Sequence, residues 1–428
     1  MPQARAALSK TLYRLRRFSR KIWVRSSLIA LLGVVAAGGS GSLAPLVPED
    51  IAKAVEPEAV EKILEIMSSG MLAVVIFSLS VMVSARQSAS SQVTPRSHQL
   101  LLEDTTTQNV LATFLGAFLF SLVGVITLGT QLYAGDAAAV ILAFALLVIL
   151  LMIVAILRWI SHLSDLGSVL ATTRRVERAA IDAMEAWLNS PCMGGRKLTG
   201  PPEGDPVKAR RSGYVQHIDM EKLSDAMEDC GGKLFLAARP GAFVTEGQPI
   251  AHCTAKADMD QVHLAFTIDD IRRFDQDPRF GVIVLSEIAQ RALSPGINDP
   301  GTAIDVLTRQ ERLLSRYRDR IEHADDDALH PRIHVPPLTA DALVRDAFDP
   351  IARDGAAMVE VQIRVQKALA HLAETGDPDM KVAARDAAAR ALQRAVIATA
   401  LPADRQRLLR TVARCGLVDA DKVDLAFE

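Results

Sequence analysis

Hydrophobic and polar positions divide this chain into two unlike parts. Four stretches carry no charged side chain, residues 26–48, 66–85, 105–135 and 137–157, and all of them precede Arg158. A helix that crosses a bilayer needs about 20 mostly apolar residues, and each stretch is long enough. The pattern predicts a four-helix transmembrane domain over 26–158, preceded by a basic segment, 1–25. Beyond Arg158 the residues Ile160, Leu163, Leu166, Leu170, Val176, Ile181, Met184 and Trp187 keep roughly helical spacing until Pro191. The fourth helix is therefore expected to continue unbroken through 159–190 as a rod of about 75–80 Å. Such a rod serves either as a transmitter of position or as a plain connector.

After a Gly/Pro-rich linker (194–206) the periodicity changes. Residues 213–218 alternate as a strand, and 220–230 read as a helix ended by Gly231-Gly232. Residues 233–238, 242–245, 249–253 and 262–268 read as further strands. Together they predict a small β-rich domain over 207–268. A helical domain over 269–428 follows. Its first helix starts after Asp277-Pro278 and stops at Ser294-Pro295-Gly296. Asn298 or Asp299 caps a second helix opened by Pro300, with Ala303, Ile304, Leu307 and Leu314 as its apolar stripe. Two long helical stretches, 340–375 and 378–418, complete the chain. The fold class is thus an α-helical membrane protein: four transmembrane helices, then a cytoplasmic α+β region with a β-barrel-like and a helical domain.

Charge orients the spans. Eight basic residues and no acid occupy 1–25, whereas the loop over 49–65 carries six acids against two lysines. Cytoplasmic flanks of membrane helices are enriched in Lys and Arg, which places the N-terminus inside. Arg86 and Arg96 after the second run, and Arg158, Arg174, Arg175 and Arg178 after the fourth, place both termini in the cytoplasm. A basic lead and small residues at 36–39 also suit a cleaved signal peptide. The length of the apolar run and the consistent charge at every crossing favour a retained span instead.

No Asp, Glu, Lys, Arg or His lies in the interior of the four runs. Ionisable residues within the membrane mark proton relays and ion-coupled transport, so their absence counts against a pump or a proton-coupled transporter. Ser80, Ser84, Gln87, Ser88 and Ser91 recur at spacings of three and four and share one face of the second run. Thr113, Gly116, Ser121, Gly124 and Thr127 do the same in the third. Such residues serve either as glue between helices or as the hydrophilic lining of a pore. Four subunit helices are too few to enclose a pore, so a pore requires an oligomer.

Candidate chemistry elsewhere is sparse. The four cysteines, Cys192, Cys230, Cys253 and Cys415, form no CxxC pair. His217, His252, Cys253 and His263 are scattered over different expected strands, and His330 and His334 flank Pro331 in a loop-like stretch, so no metal or cofactor is expected. No GxSxG, Walker loop, HExxH or credible carboxylate pair occurs, and the chain is expected not to be an enzyme. The corner formed by Ser294, Pro295, Gly296, Asn298, Asp299, Pro300 and Thr302 is explained by turn and cap chemistry alone. The N-terminus of the helix that follows is also a candidate anion or nucleotide site.

Two resemblances add to this reading. Residues 239–250 resemble the paired-glycine turns of biotinyl and lipoyl carrier domains, which implies a small β-barrel. The modifiable lysine of those carriers is missing here, and no cofactor is implied. The passages Ser90-Ser-Gln-Val-Thr-Pro-Arg96 with Leu102-Glu-Asp104, and Ala292-Leu-Ser-Pro-Gly-Ile-Asn-Asp-Pro-Gly-Thr-Ala303, resemble a bacterial family of predicted membrane proteins in the domain-of-unknown-function series. That resemblance runs from about Lys21 to the C-terminus, with Gly301 where a bulkier residue is expected. It implies architecture and an inner-membrane location, and no activity. The leading expectation is a homo-oligomeric passive channel with a cytoplasmic assembly or gating domain. The alternatives are a membrane-anchored scaffold or sensor that binds a protein or small anion, and a transporter. Expected partners are the bilayer, further copies of the chain and a small ion or anion, with no nucleic acid.

Overall fold

The computed structural model describes residues 54–92, 94–97, 105–129, 137–163, 168–317 and 328–418, together with Ser27, Leu31 and Pro48. These form two compact units. The first comprises the membrane-type helices up to Ala171, and the second comprises residues 93–97 and everything from Thr172 onward.

In the first unit three described helices are long and apolar enough to cross a bilayer. They are α1 (Pro57–Gln92), α2 (Thr105–Gly129) and α3 (Ala137–Leu163). The expected span over 26–48 lies outside the described residues apart from Ser27, Leu31 and Pro48. Helix α1 starts well inside the stretch expected as an acidic loop, because Pro57 suits a first helical turn and Glu58 favours the positive end of the helix dipole. Helix α2 packs against both neighbours. Val60, Leu64, Met67 and Met71 of α1, Val110, Phe114, Ala117 and Phe120 of α2, and Ile141, Ala145, Met152 and Trp159 of α3 form their common core. Gly124 allows the close approach, since a Cβ there would lie 2.7 Å from Leu64 Cδ1.

The unbroken rod expected from 137 to 188 is two helices. Helix α3 ends at Leu163, and α4 (Val169–Asn189) begins afresh after Ser168, whose hydroxyl accepts the Ala171 N–H at 3.3 Å. A serine N-cap satisfies a backbone donor that a continuous helix would have bonded internally.

The second unit begins with α4 and combines eight strands with eight further helices among the described residues. The strands are β1 (Gly195–Lys197), β2 (Asp205–Lys208), β3 (Gly213–Ile218), β4 (Leu234–Leu236), β5 (Phe243–Val244), β6 (Pro249–Cys253), β7 (Phe266–Asp269) and β8 (His330–Val335). They make a five-stranded sheet in the order β1-β8-β4-β6-β2 and a three-stranded sheet β5-β3-β7. Strand β8 runs parallel to β1 and β4, while β6 runs antiparallel to β4 and β2. The strands expected as one small barrel within 207–268 are therefore spread over two sheets. The larger sheet takes β1 and β8 from outside that range, and β8 is the stretch read as a loop around His330 and His334.

Helix α5 (Met220–Cys230) ends where expected, with Gly231 left-handed at φ 70°. The expected strand over 262–268 is corrected to α6 (Met259–Ala265) followed by β7. Asp258 accepts the N–H groups of Asp260 and Gln261, and this local cap nucleates a turn that period-two alternation does not reveal.

Helices α7 (Pro278–Leu293), α8 (Pro300–Leu314), α9 (Ala340–Asp354), α10 (Val359–Ala373) and α11 (Pro378–Ala398) pack in a ring. Helix α7 touches α8 and α9, α10 touches α8 and α11, and α11 returns to α9. Helix α12 (Pro402–Cys415) packs on α10. The two long terminal helices expected are thus four. Gly355 ends α9, and Pro402, which lacks a backbone N–H, opens α12 after Thr399 closes α11. Buried glutamines hold the ring together. Gln310 donates to Val282 O at 2.8 Å, Gln362 to Ala352 O at 2.9 Å, and Gln366 to Ala388 O at 2.9 Å.

Candidate functional site

Within the membrane-type helices Ser80 and Ser84 are exposed, on a different face of α1 from the buried row Val60, Leu64, Met67, Met71 and Ser78. The side chains of Gln87, Ser88 and Ser91 lie outside the described residues. Ser80 donates to Ile76 O at 3.0 Å, Thr113 to Asn109 O at 2.9 Å, Ser121 to Ala117 O at 2.8 Å and Thr127 to Val123 O at 2.7 Å. These hydroxyls bond back to the preceding turn of their own helix, so their polarity is satisfied without a neighbouring helix.

At the corner between α7 and α8 the Ser294 hydroxyl donates to Arg291 O, and Asn298 N donates to Ser294 O at 2.8 Å. Asn298 adopts a left-handed φ of 53°, a conformation asparagine tolerates better than most residues. Asp299 caps α8, accepting the Thr302 N–H at 3.0 Å and the Thr302 hydroxyl at 2.5 Å. Its carboxylate thereby fills the position at the helix N-terminus that an exogenous anion would take. The Thr302 hydroxyl, and then the Thr302 N–H, hold the Asp299 carboxyl below its ordinary value. Asp299→Ala is expected to cost about 1 kcal/mol at neutral pH. Because the folded pKa is depressed, this contribution is complete above the ordinary value of 3.8 and is lost as pH falls through the lower folded value. Thermal unfolding of both proteins at pH 7 and below pH 3 measures it: the difference in Tm shrinks on acidification, and equal Tm values at pH 7 would show the cap to be idle.

One residue of the first passage that carries the family resemblance bonds within the second unit. Arg96, at the end of that passage, forms an ion pair with Glu287 on α7, the helix that leads into the second passage. Nearby, Glu177 of α4 is buried and receives both Arg309 and Arg312 of α8. Arg312 Nε lies 2.8 Å from it, and Arg309 also holds Asp305 at 2.7 Å. Arg316 reaches Glu185 of α4 at 2.6 Å. Sequence reading missed this cluster, because spacing within one segment says nothing about partners 132 or 135 residues away.

A cavity of about 370 Å³ opens in the same unit, lined by Trp187, Arg239, Pro240, Gly241, Arg272 and Asp277, with Arg279, Pro336 and Leu338 among the others. The turn between β4 and β5 delivers Arg239. Gly241 permits that turn with φ 89°, and a Cβ on it would lie 2.5 Å from Asp277 Cγ. Asp277 stands at the N-cap position of α7, as expected. It is buried, and its side chain accepts Arg272 Nε at 2.6 Å. Burial lifts its carboxyl above the ordinary range although Arg272 pulls the other way. Arg279 is bidentate on Asp346 at 2.7 and 3.2 Å, and Arg239 donates to Pro337 O at 2.6 Å. Burial, and then the nearby Arg279 guanidinium, hold Arg239 below the usual arginine range. No group of three or more His, Cys, Asp or Glu side chains suited to a metal occurs among the described residues. The paired-glycine phrase at 239–250 was a signal for this turn, but not for the cavity it helps to form.

Apolar spans followed by a polar α+β unit define a helical membrane protein. The chain belongs to the family described as "Predicted membrane protein (DUF2254)", whose pattern matches residues 19–371. It is also similar to uncharacterized proteins of Mycobacterium tuberculosis (strain ATCC 25618 / H37Rv) and Mycobacterium bovis (strain ATCC BAA-935 / AF2122/97). Each is 26% identical over 311 residues, covering 67% of this chain and 58% of the relative. The chain thus spans less than two thirds of the length of these relatives. No solved structure is similar to it.

Proposed function

We propose that the protein is a homo-oligomeric passive channel of the bacterial inner membrane, with both termini cytoplasmic and the second unit serving in assembly or gating. The observation that carries this reading is the exposure of Ser80 and Ser84 on α1, away from the packed core of the helices. A second copy would cover this face, and the Ser80 hydroxyl, already bonded to its own helix, presents an oxygen acceptor to a passing ion. Charge-free span interiors suit passive flow better than ion-coupled transport, and the basic flanks support the orientation.

Purified full-length protein in planar bilayers is expected to give discrete conductance steps, changed at least about twofold by Ser84→Leu, and a cyclic ring in detergent with α1 toward the axis. A monomeric particle without conductance overturns the proposal. A second reading, a membrane-anchored sensor, is favoured by the arginine-lined cavity. Ligand binding without conductance would select it, whereas flux driven by a proton gradient would select a transporter.

A further inference from the structure

The cavity beside Arg239 has the features of a ligand site that the channel reading does not use. Three guanidinium groups meet there, and each is anchored on one side before any ligand arrives. Arg272 is held by Asp277 and lies over the Phe280 ring, 5.0 Å from its centroid. Arg279 is held by Asp346, and Arg239 by the Pro337 carbonyl. A guanidinium carries five N–H donors in a rigid fork, and these anchoring bonds occupy only one or two on each. Anchored arginines lose little side-chain freedom on binding, which favours tight recognition of a planar or tetrahedral oxyanion.

Charge points the same way. Three guanidinium groups face two carboxylates, Asp277 and Asp346, so the cluster stays cationic even with both ionised. Helix α7 starts in the cavity wall at Pro278. The positive end of a 16-residue helix therefore adds to the field. Arg239 and Arg279 oppose one another, a repulsion that an anion between them would relieve. The remaining wall is not ionic: Trp187, Pro240, Pro336 and Leu338 contribute apolar surface. A volume of about 370 Å³ is far more than a bare oxyanion fills and falls in the usual range for small-molecule sites.

We propose that this cavity binds a small organic dianion, its charged end held by Arg239, Arg272 and Arg279 and its apolar body lying against Trp187 and the neighbouring prolines. The site holds such a ligand whether or not the protein conducts, so the two proposals fail independently.

Isothermal titration of the full-length protein in detergent tests it with three probes: phenyl phosphate, phthalate and inorganic phosphate. Phenyl phosphate or phthalate is expected to bind, at least about tenfold more tightly than inorganic phosphate, with the stronger of the two identifying the charged end. Arg239→Gln is expected to weaken that binding about tenfold or more, the scale of one lost charge-assisted contact. Ala237, which is exposed at the cavity edge, provides a variant that leaves the arginines and their anchors in place. Ala237→Glu adds a negative charge and should weaken binding as well, with an unchanged Tm in the absence of probe. The proposal is overturned by absence of binding for both organic probes at millimolar concentration, by inorganic phosphate binding equally well, or by affinities that Ala237→Glu leaves unaltered.

Discussion

Glu177→Ala is expected to destabilise the second unit by about 3 kcal/mol. Glu177 is 5% exposed and faces two arginines, of which Arg309 is itself 6% exposed. Removing one partner of a buried ion pair leaves an uncompensated buried charge, at a cost of about 3–5 kcal/mol. The lower end applies here because Arg309 retains Asp305, and Arg312 can turn to solvent. Thermal unfolding of the purified full-length protein measures the loss, and Glu177→Gln should recover part of it by keeping a hydrogen-bond acceptor. A Tm within a degree of the parent for Glu177→Ala would show that α4 is held by other contacts. Arg345→Ala is the matching control with little expected change in Tm, since its partner Asp341 and it are both about half exposed and solvent screens such pairs.

The second large effect is steric. Helix α4 crosses α7 where Gly281 meets Ala180, and a Cβ on Gly281 would lie 2.7 Å from Ala180 Cα, closer than two carbons approach. Backbone cannot yield as a side-chain tip can, so Gly281→Ala forces the helices apart. Overpacking of this kind costs about 1–3 kcal/mol, against a gain of up to about 1 kcal/mol from the better helix propensity of alanine. A net loss of about 1–2 kcal/mol is expected. Ala180→Gly alone should be mildly destabilising, and the double variant should recover part of the loss, because the Ala180 Cβ contact is removed while the close approach to its Cα remains, giving a coupling energy of at least about 0.5 kcal/mol in the cycle. Additive effects of the two substitutions would mean that the helices do not touch at this point.

Both predictions concern α4, where sequence reading was most incomplete. Apolar spacing marked helix on both sides of Ser168, but the Ser168 cap opens a new helix, and spacing cannot distinguish one helix from two. Caps with strong local signatures were legible: Asp299 and Pro300 before α8, and Gly231 after α5. Asp277 and Pro278 before α7 were legible in the same way, while the fit of the Asp277 carboxyl against Gly241 was not. Residues 262–268 misled because a short segment half buried on one side has the same apolar content as a helix or as a strand. Of the site residues, the exposure of Ser80 and Ser84 follows from helical periodicity. The arginine cavity draws on β4–β5, α4, α7 and the segment after β8, and no local pattern links them.

The amino-acid order by itself determines that apolar runs too long and too uncharged for an ordinary core come first and a polar α+β region follows, because hydropathy and charge act residue by residue. It also determines the helix stops at Gly231 and Ser294, where backbone chemistry is local. Only the tertiary structure decides that β8 joins β1 and β4, that Glu177 meets Arg309 and Arg312, and that Arg239 shares one cavity with Arg272 and Arg279. Those pairings depend on which surfaces exclude water together, a property of the packed chain that no window along it contains.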